Sequence, residues 1–135
     1  MNTIISIPCL LRGGTEIQTL RLADTLTKLQ YKVKIICYFE FDNNVILEFK
    51  KINCEVILLK LRRNIFPIYL ILKLIKVFKE DKPKIVHIQY MNPGMLPIIA
   101  AKLSGIKKII ATIHQPYTKM HGIKAKLFLR LSTLL

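Results

Sequence analysis

The apolar residues of this chain fall into short runs separated by segments with helical spacing. Most runs consist of β-branched residues and are nearly continuous, which is typical of parallel strands covered on both faces. A regular alternation of strands and helices predicts an α/β fold with a doubly wound parallel sheet. Five runs predict five strands: Ile4–Ile7, Val33–Phe39, Val56–Leu59, Ile85–Ile88 and Ile109–Ile113.

The first predicted helix has the clearest signals. One side of its helical projection carries four apolar residues, namely Leu22, Ala23, Leu26 and Leu29. Thr15 and Gln18 have capping-box spacing, which predicts that Thr15 caps this helix. Because Gly13 and Gly14 come directly before, we expect a strand, a Gly-Gly turn and a capped helix in that order.

Four further segments have helical character: residues 44–52, a helix from Pro67 to just before Pro83, one from Pro93-Gly94 to Gly105, and residues 123–135. The Pro67 helix has a wider apolar arc than one sheet face requires. Segment 60–82 around it also carries seven basic residues: Lys60, Arg62, Arg63, Lys73, Lys76, Lys79 and Lys82. Such a helix can lie at an anionic membrane surface. Packing on the sheet or on another domain, with solvated lysines, is the alternative.

Length and composition then narrow the class of protein. The 135 residues are 52% hydrophobic, which fits one domain with a sizeable core over residues 1–135 and excludes intrinsic disorder. The 22 basic and 8 acidic residues give a net charge of +14, and no acidic residue follows Asp81. This excess indicates an anionic partner, such as nucleic acid, a phosphorylated substrate or a lipid headgroup.

Several other classes are disfavoured. The longest apolar run, Ile65–Leu72, is far shorter than the roughly 20 residues of a membrane span. The apolar start lacks the basic region and cleavage site of a signal peptide. The three cysteines and the three histidines, His87, His114 and His121, have no metal-ligand spacing, so we expect no metal and a reducing compartment.

The Gly13-Gly14 turn is the most informative local feature. Glycine lets a backbone approach a ligand closely, and the helix that follows offers free N–H groups and a positive dipole end. Such a turn suits a phosphate, although a tight turn without a ligand explains it equally well. Neither a dinucleotide-binding Gly-x-Gly-x-x-Gly motif nor a P-loop is present.

The segments in this order resemble the opening of family-four glycosyltransferases. The similarity rests on the following matches: Ile4–Ile7, Gly13-Gly14-Thr15-Glu16, Arg21-Leu22-Ala23 with Leu26, Tyr31-Lys32-Val33, Lys84–Gln89 and Ala111–His114. Four residues in three segments depart from the family pattern. Gln30-Tyr31 replaces Gly-His, Lys84 replaces an acidic residue, and Gln89 replaces a second histidine.

The resemblance implies a fold and a set of site residues. Family members have two Rossmann-like domains facing a cleft, the GT-B arrangement, and this chain corresponds to the amino-terminal, acceptor-side domain alone. Gly13 and Gly14 would bring backbone N–H groups near the donor diphosphate, and His114 would act as the catalytic group beside the transferring sugar. Glu16 would contact the ligand or simply favour the helix dipole. We expect His87 to be a hydrogen-bonded core histidine.

The expected function follows from the same resemblance. It is a retaining transferase domain that uses a nucleotide sugar as co-substrate, without a cofactor or metal. The acceptor would belong to the cell envelope or be lipid-linked, at the cytoplasmic face of the membrane. Because the donor-binding domain with its acidic E-x7-E motif is missing from these residues, we expect the chain to be inactive alone.

Three other functions are weighed against this one. The first is a non-enzymatic subunit that recruits a catalytic partner to the membrane or presents an acceptor to it. A flavodoxin-like or receiver-like switch lacks the expected acidic cluster and phosphate loop. Nucleic-acid binding is compatible with the charge, but the lysines are scattered and lack stacking aromatic neighbours.

Overall fold

The computed structural model describes residues 1–90 and 95–114, and Tyr90 by its backbone alone. Within these residues the chain alternates five strands with four helices: β1 (Asn2–Ile7), α1 (Gly14–Lys28), β2 (Lys32–Cys37), α2 (Asn43–Lys51), β3 (Glu55–Leu58), α3 (Pro67–Asp81), β4 (Ile85–Tyr90), α4 (Met95–Leu103) and β5 (Lys108–Ile113). The predicted helix over residues 123–135 lies outside this description.

The five strands form one parallel sheet in the order β3-β2-β1-β4-β5. Ile5 of β1 is in register with Ile35 of β2 on one side and with His87 of β4 on the other. Residues in register share a face of the sheet, so His87 lies on the same face as Ile5 and Ile35. The predicted Rossmann-like, doubly wound sheet is confirmed.

The helices cover the two faces in pairs. Ala23 of α1 and Phe49 of α2 pack with Ile5, Ile35 and neighbouring residues on one face. Residues of α3 and α4 pack with β1, β2 and β4 on the other, and the buried members include Leu70, Leu74, Phe78, Ala100 and Ala101. Both faces of the central strands are therefore buried, as the continuous apolar runs predict.

The signals at helix ends have mixed outcomes. Helix α3 begins at Pro67 and ends at Asp81, as predicted. Gly105 follows α4 with a φ of +78°, the left-handed conformation expected after a helix end. The inward face of α1 begins with Glu16, Thr19 and Ala23. Leu29, predicted on that face, is 62% exposed because the helix ends at Lys28.

The capping box predicted for α1 is wrong. The residue that precedes the helix is Gly13, whose carbonyl oxygen accepts the Ile17 N–H at 3.1 Å, and no side chain caps this end. Thr15 is thus already the second helical residue. The Glu16 carboxylate, which reaches back to the loop before the helix, leaves no room for a Cβ at position 13.

No helix within residues 1–90 and 95–114 has both the length and the apolar character needed to cross a membrane.

Candidate functional site

The strand order creates a crevice at the carboxyl edge of the sheet. β1 and β4 are neighbours, but the chain leaves β1 toward β2 and leaves β4 toward β5. Ligands of open α/β sheets bind outside the carboxyl ends of the strands at such a switch point. The Gly13-Gly14 turn follows β1, and His114 follows β5 directly. Since neighbouring strands are about 4.8 Å apart, two strand spacings, about 10 Å, separate β1 from β5.

The turn before α1 presents backbone donors at this edge. The N–H groups of Gly14, Thr15 and Glu16 precede the first helical hydrogen bond, Ile17 N–H to Gly13 carbonyl oxygen. A helix start of this kind favours a phosphate or another anionic oxygen through its N–H groups and its dipole. Gly14 has no neighbouring atom within 4 Å of where a Cβ would lie, so this side of the turn is open.

Glu16 holds the turn from beneath. Its side chain is buried, its Oε1 accepts the Leu11 N–H at 3.2 Å, and the Cys9 thiol lies 3.5 Å from the same oxygen. A Cβ at Gly13 would lie 2.5 Å from Glu16 Oε2. Gly13 has an extended backbone with φ −127°, which any residue can adopt, so the carboxylate and not the backbone requires glycine here.

Arg12 adds a cation beside the turn, and sequence reasoning did not single it out. Its side chain is 68% exposed and lies 4.0 Å from an Asp42 carboxylate oxygen, a distance at the limit of an ion pair. Such an exposed pair contributes about 0–1 kcal/mol, so the guanidinium can turn toward an anion at low energetic cost. The sequence signal that could have identified Arg12 is its position directly before the Gly13-Gly14 turn.

His114 is held by a buried partner on the neighbouring strand. Its Nε2 is hydrogen-bonded to Oε1 of Gln89, which is 3% exposed. With a carbonyl oxygen as acceptor, Nε2 carries the proton, and a neutral imidazole then has Nδ1 as its hydrogen-bond acceptor. Gln89, noted above only as a departure from the family pattern, fixes the orientation of the ring.

His87 and Thr112 extend this arrangement along the same face. His87 Nε2 lies 2.6 Å from Thr112 Oγ1, and Gln89 is in register with Thr112. We call the set His87, Gln89, Thr112 and His114 the β4–β5 polar strip. Burial and, to a lesser extent, the charge of His114 lower the pKa of His87. His87 is therefore neutral at pH 7 and is the hydrogen-bonded histidine that the sequence predicts.

The described residues offer no group of three His, Cys, Asp or Glu side chains able to hold a metal ion. The three cysteines are free and buried, and burial raises the pKa of Cys37 and of Cys54 to about 12. The chemistry available at this edge is therefore anion binding at the α1 start together with hydrogen bonding by an oriented imidazole.

Comparison with known proteins matches this chain to a family. Residues 9–131 match the sequence profile described as "Glycosyl transferase 4-like". The chain belongs to this glycosyl transferase 4-like family. The match confirms the resemblance drawn from the Gly-Gly turn and the later strand segments. No curated protein matches the chain.

Solved structures share the fold of this glycosyl transferase 4-like chain. A glycosyltransferase from Rickettsia africae is similar with a TM-score of 0.72 and 22% identity over 94% of this chain and 32% of that protein. MurG from Acinetobacter baumannii is similar with a TM-score of 0.61 and 17% identity over 96% of this chain and 38% of that protein. A UDP-GlcNAc 2-epimerase from Methanocaldococcus jannaschii is similar with a TM-score of 0.66 and 14% identity over 98% of this chain and 36% of that protein. The chain thus spans about a third of the length of each.

The structure brings two of the predicted site features to one edge of the sheet. Gly13 and Gly14 lie at the α1 start and His114 lies at the end of β5, while Glu16 lies beneath the turn. Ligand contact by any of these residues stays a prediction. His121 and residues 91–94 and 115–135 lie outside the described residues.

Proposed function

We propose that this chain supplies the acceptor-side domain of a retaining, nucleotide-sugar-dependent glycosyltransferase with a lipid-linked or cell-envelope acceptor. The observation that carries the proposal is the placement of the α1 start and the Gln89-bound His114 at one switch-point edge, in a chain of this family. The donor is a co-substrate, and we propose that no cofactor or metal ion is needed.

In this proposal the two features divide the work. The N–H groups at Gly14 and Thr15 face the diphosphate of the donor and stabilise the negative charge that grows as the sugar leaves. His114, oriented by Gln89, accepts a hydrogen bond from a hydroxyl of the transferring sugar through Nδ1. Glu16 acts as a positioning residue, because its carboxylate is bonded to Leu11 N–H and lies beneath Gly13.

We further propose that the remaining donor contacts come from a second domain or a partner subunit. This chain spans about a third of the solved glycosyltransferase structures above. Transfer needs both reactants held in one geometry, and one face of a cleft provides only part of that positioning. The 135 residues alone are therefore expected to bind a nucleotide sugar weakly and to show no turnover.

An NMR titration tests this function. Amide shifts of the ¹⁵N-labelled chain are followed against a panel of nucleotide sugars, with release of nucleoside diphosphate measured in parallel in the presence of lipid extract. We expect shifts at Gly13, Gly14 and Thr15 and no turnover. Absence of shifts at these amides with every donor would remove the donor-binding role, and robust turnover would refute the incomplete catalyst.

We also propose peripheral contact with an anionic membrane through α3, at the cytoplasmic face. The support is a row of exposed apolar side chains at its start, Phe66, Ile68, Tyr69 and Leu72, followed by exposed Lys73, Lys76 and Lys79. Arg63 does not belong to this surface, because it is bonded to Glu40 at 2.5 Å and lies over the Phe39 ring.

Vesicle co-sedimentation tests the membrane proposal. The chain should sediment with phosphatidylglycerol vesicles and not with phosphatidylcholine vesicles, and a Tyr69→Ser/Leu72→Ser variant should lose most of that binding. A Leu47→Ser variant is the control, since Leu47 is similarly exposed on α2. Equal binding to both lipids would contradict the electrostatic part of the proposal.

The same α3 surface supports a second candidate, a non-enzymatic subunit that recruits a catalytic protein or presents an acceptor to it. The two candidates differ in the donor titration. A recruiting subunit binds the membrane as described but gives no amide shifts at Gly13–Thr15 with any nucleotide sugar.

A further inference from the structure

A cavity of about 530 Å³ lies at the amino edge of the sheet, opposite the crevice described above. It is formed where α3 meets β4 and where α4 meets β5. A six-residue strand is about 20 Å long, so the cavity is about that far from the carboxyl ends of the same strands. A donor at the Gly13-Gly14 turn does not reach it.

The rim of the cavity carries five lysines and no acidic residue: Lys79, Lys82, Lys84, Lys107 and Lys108. Its apolar lining includes Phe78, Pro83 and Ile106. All five lysines are exposed, and within residues 1–90 and 95–114 none of them is in an ion pair. We call this feature the lysine cavity.

The acids nearest in sequence are already engaged elsewhere. Asp81 binds Lys34 at 2.6 Å, and Glu80 lies 4.0 Å from Lys76 on the outer side of α3. Helix α3 and helix α4 both end here, and a helix end carries about half a negative charge. Two such ends offset about one of the five positive charges. Helix dipoles therefore do not explain the cluster.

Lys82 is held in a costly conformation at the rim. Its φ of 45° and ψ of 55° are left-handed, and it occupies the position after α3 where glycine is common. A non-glycine residue there costs about 1–2 kcal/mol. Gln30 after α1 and Asn53 after α2 have the same left-handed backbone, so this conformation does not by itself mark Lys82 as functional.

We propose that the lysine cavity binds a ligand that carries two or more phosphate charges. Several ammonium groups around one concave site match a compact polyanion, because each lysine acts as a mobile point charge with three donors. The source of the phosphate groups is a soluble phosphorylated molecule or an anionic lipid headgroup. The proposal does not depend on the donor site, and the lysine cavity shares only Lys79 with the α3 membrane surface.

Pyrophosphate is the probe for the first experiment, and binding is measured by titration calorimetry on the full chain. A Lys107→Gln/Lys108→Gln variant should bind at least tenfold more weakly than the wild type. The matched control is Lys50→Gln/Lys51→Gln, which removes two adjacent exposed lysines from the end of α2 and should change the affinity less than twofold. Equal affinity of the cavity variant and the wild type would overturn the proposal.

Amide shifts locate the bound probe and keep it separate from the donor site. Pyrophosphate should shift Lys84, Gly105 and Lys107. Shifts confined to Gly13–Thr15 would place the probe at the α1 start and contradict the proposal. A Lys82→Gly variant adds a readout of opposite sign, since it should unfold at higher urea concentration and yet bind pyrophosphate more weakly than the wild type.

Vesicles distinguish the two sources. Weaker sedimentation of the Lys107→Gln/Lys108→Gln variant with cardiolipin vesicles, whose headgroup carries two phosphate charges, relative to the Lys50→Gln/Lys51→Gln control, assigns the cavity to a lipid headgroup. Unchanged sedimentation together with lost pyrophosphate binding assigns it to a soluble ligand. Unchanged results in both assays overturn the proposal.

Discussion

Gly13 and Gly14 are adjacent glycines, yet the structure predicts opposite effects when each is replaced by alanine. A methyl group at Gly13 meets the Glu16 carboxylate, with 2.5 Å between the Cβ position and Oε2. The carboxylate cannot retreat without lengthening its bond from Leu11 N–H, which is 3.2 Å. A methyl group at Gly14 meets no atom within 4 Å.

The magnitudes follow from these contacts. Loss of a hydrogen bond to a charged group costs about 1.5–3 kcal/mol. Alanine recovers about 0.4–1 kcal/mol by restricting the unfolded chain, since the Gly13 backbone suits any residue. Gly13→Ala should therefore destabilise the fold by about 1–2 kcal/mol. Gly14→Ala should stabilise it by up to about 1 kcal/mol, because alanine is the better helix former.

Urea unfolding of the two variants and of a double-mutant cycle with Glu16→Ala is the assay. Without the carboxylate, Gly13→Ala should no longer destabilise, which gives a coupling energy of about 1.5–3 kcal/mol between positions 13 and 16. Gly14→Ala should show no such coupling and is the control. If Gly13→Ala has the same cost in the Glu16→Ala background, the carboxylate does not set the glycine requirement and the reasoning is wrong.

Three further predictions concern ionisable groups. The side chain of Lys34 is 11% exposed and is bonded to Asp81, and this bond is the main reason that the pKa of Lys34 is raised. Its contribution to the stability of the fold is therefore complete below pH 10.5 and is lost as the pH rises through the raised pKa. Urea unfolding should show Lys34→Met less stable than wild type by about 1–3 kcal/mol at pH 7, with a smaller loss at high pH. The pKa of His87 is lowered in the folded chain, so unfolding takes up a proton and the free energy of unfolding should fall as the pH drops below 6.5. Urea unfolding between about pH 5 and 8 should show a less steep fall for His87→Gln than for the wild type. The thiols of Cys37 and Cys54, with pKa values of about 12, should react with a thiol reagent at pH 8 only slowly until urea unfolds the chain.

The fold could be predicted because its signals are local. Runs such as Ile4–Ile7 mark strands through β-branched residues, and Pro67 and Gly105 mark helix ends through their backbone preferences. The start of α1 depended on something that is not local. The loop before α1 is held by a hydrogen bond from the Leu10 N–H to the carbonyl oxygen of Glu40, which follows β2. This bond positions the neighbouring Leu11 N–H, which donates to the Glu16 carboxylate.

The site was predicted in part for the same reason. The Gly-Gly turn and His114 are visible in the sequence because motifs carry them. Gln89 binds His114 across neighbouring strands, and 25 residues separate the two in the chain. Only the register of β4 with β5 brings them together. The lysine cavity likewise combines the end of α3 with the start of β5, so residue spacing gives no hint of it.

Helix α3 connects the proposals for the two edges of the sheet. It runs antiparallel to the strands between β3 and β4, so Phe66 and Tyr69 lie toward the carboxyl edge and Lys79 and Lys82 toward the amino edge. Its 15 residues extend about 22 Å, nearly the height of the sheet. The apolar start of α3 lies at the carboxyl edge but on the face of the sheet opposite to the β4–β5 polar strip, so the proposed lipid-linked acceptor would have to cross this edge to reach His114. The lysine cavity lies at the other end of α3, so removing the charges of Lys107 and Lys108 should leave the carboxyl edge unchanged. We therefore expect the Lys107→Gln/Lys108→Gln variant to lose pyrophosphate binding at the amino edge and to keep nucleotide-sugar binding at the carboxyl edge.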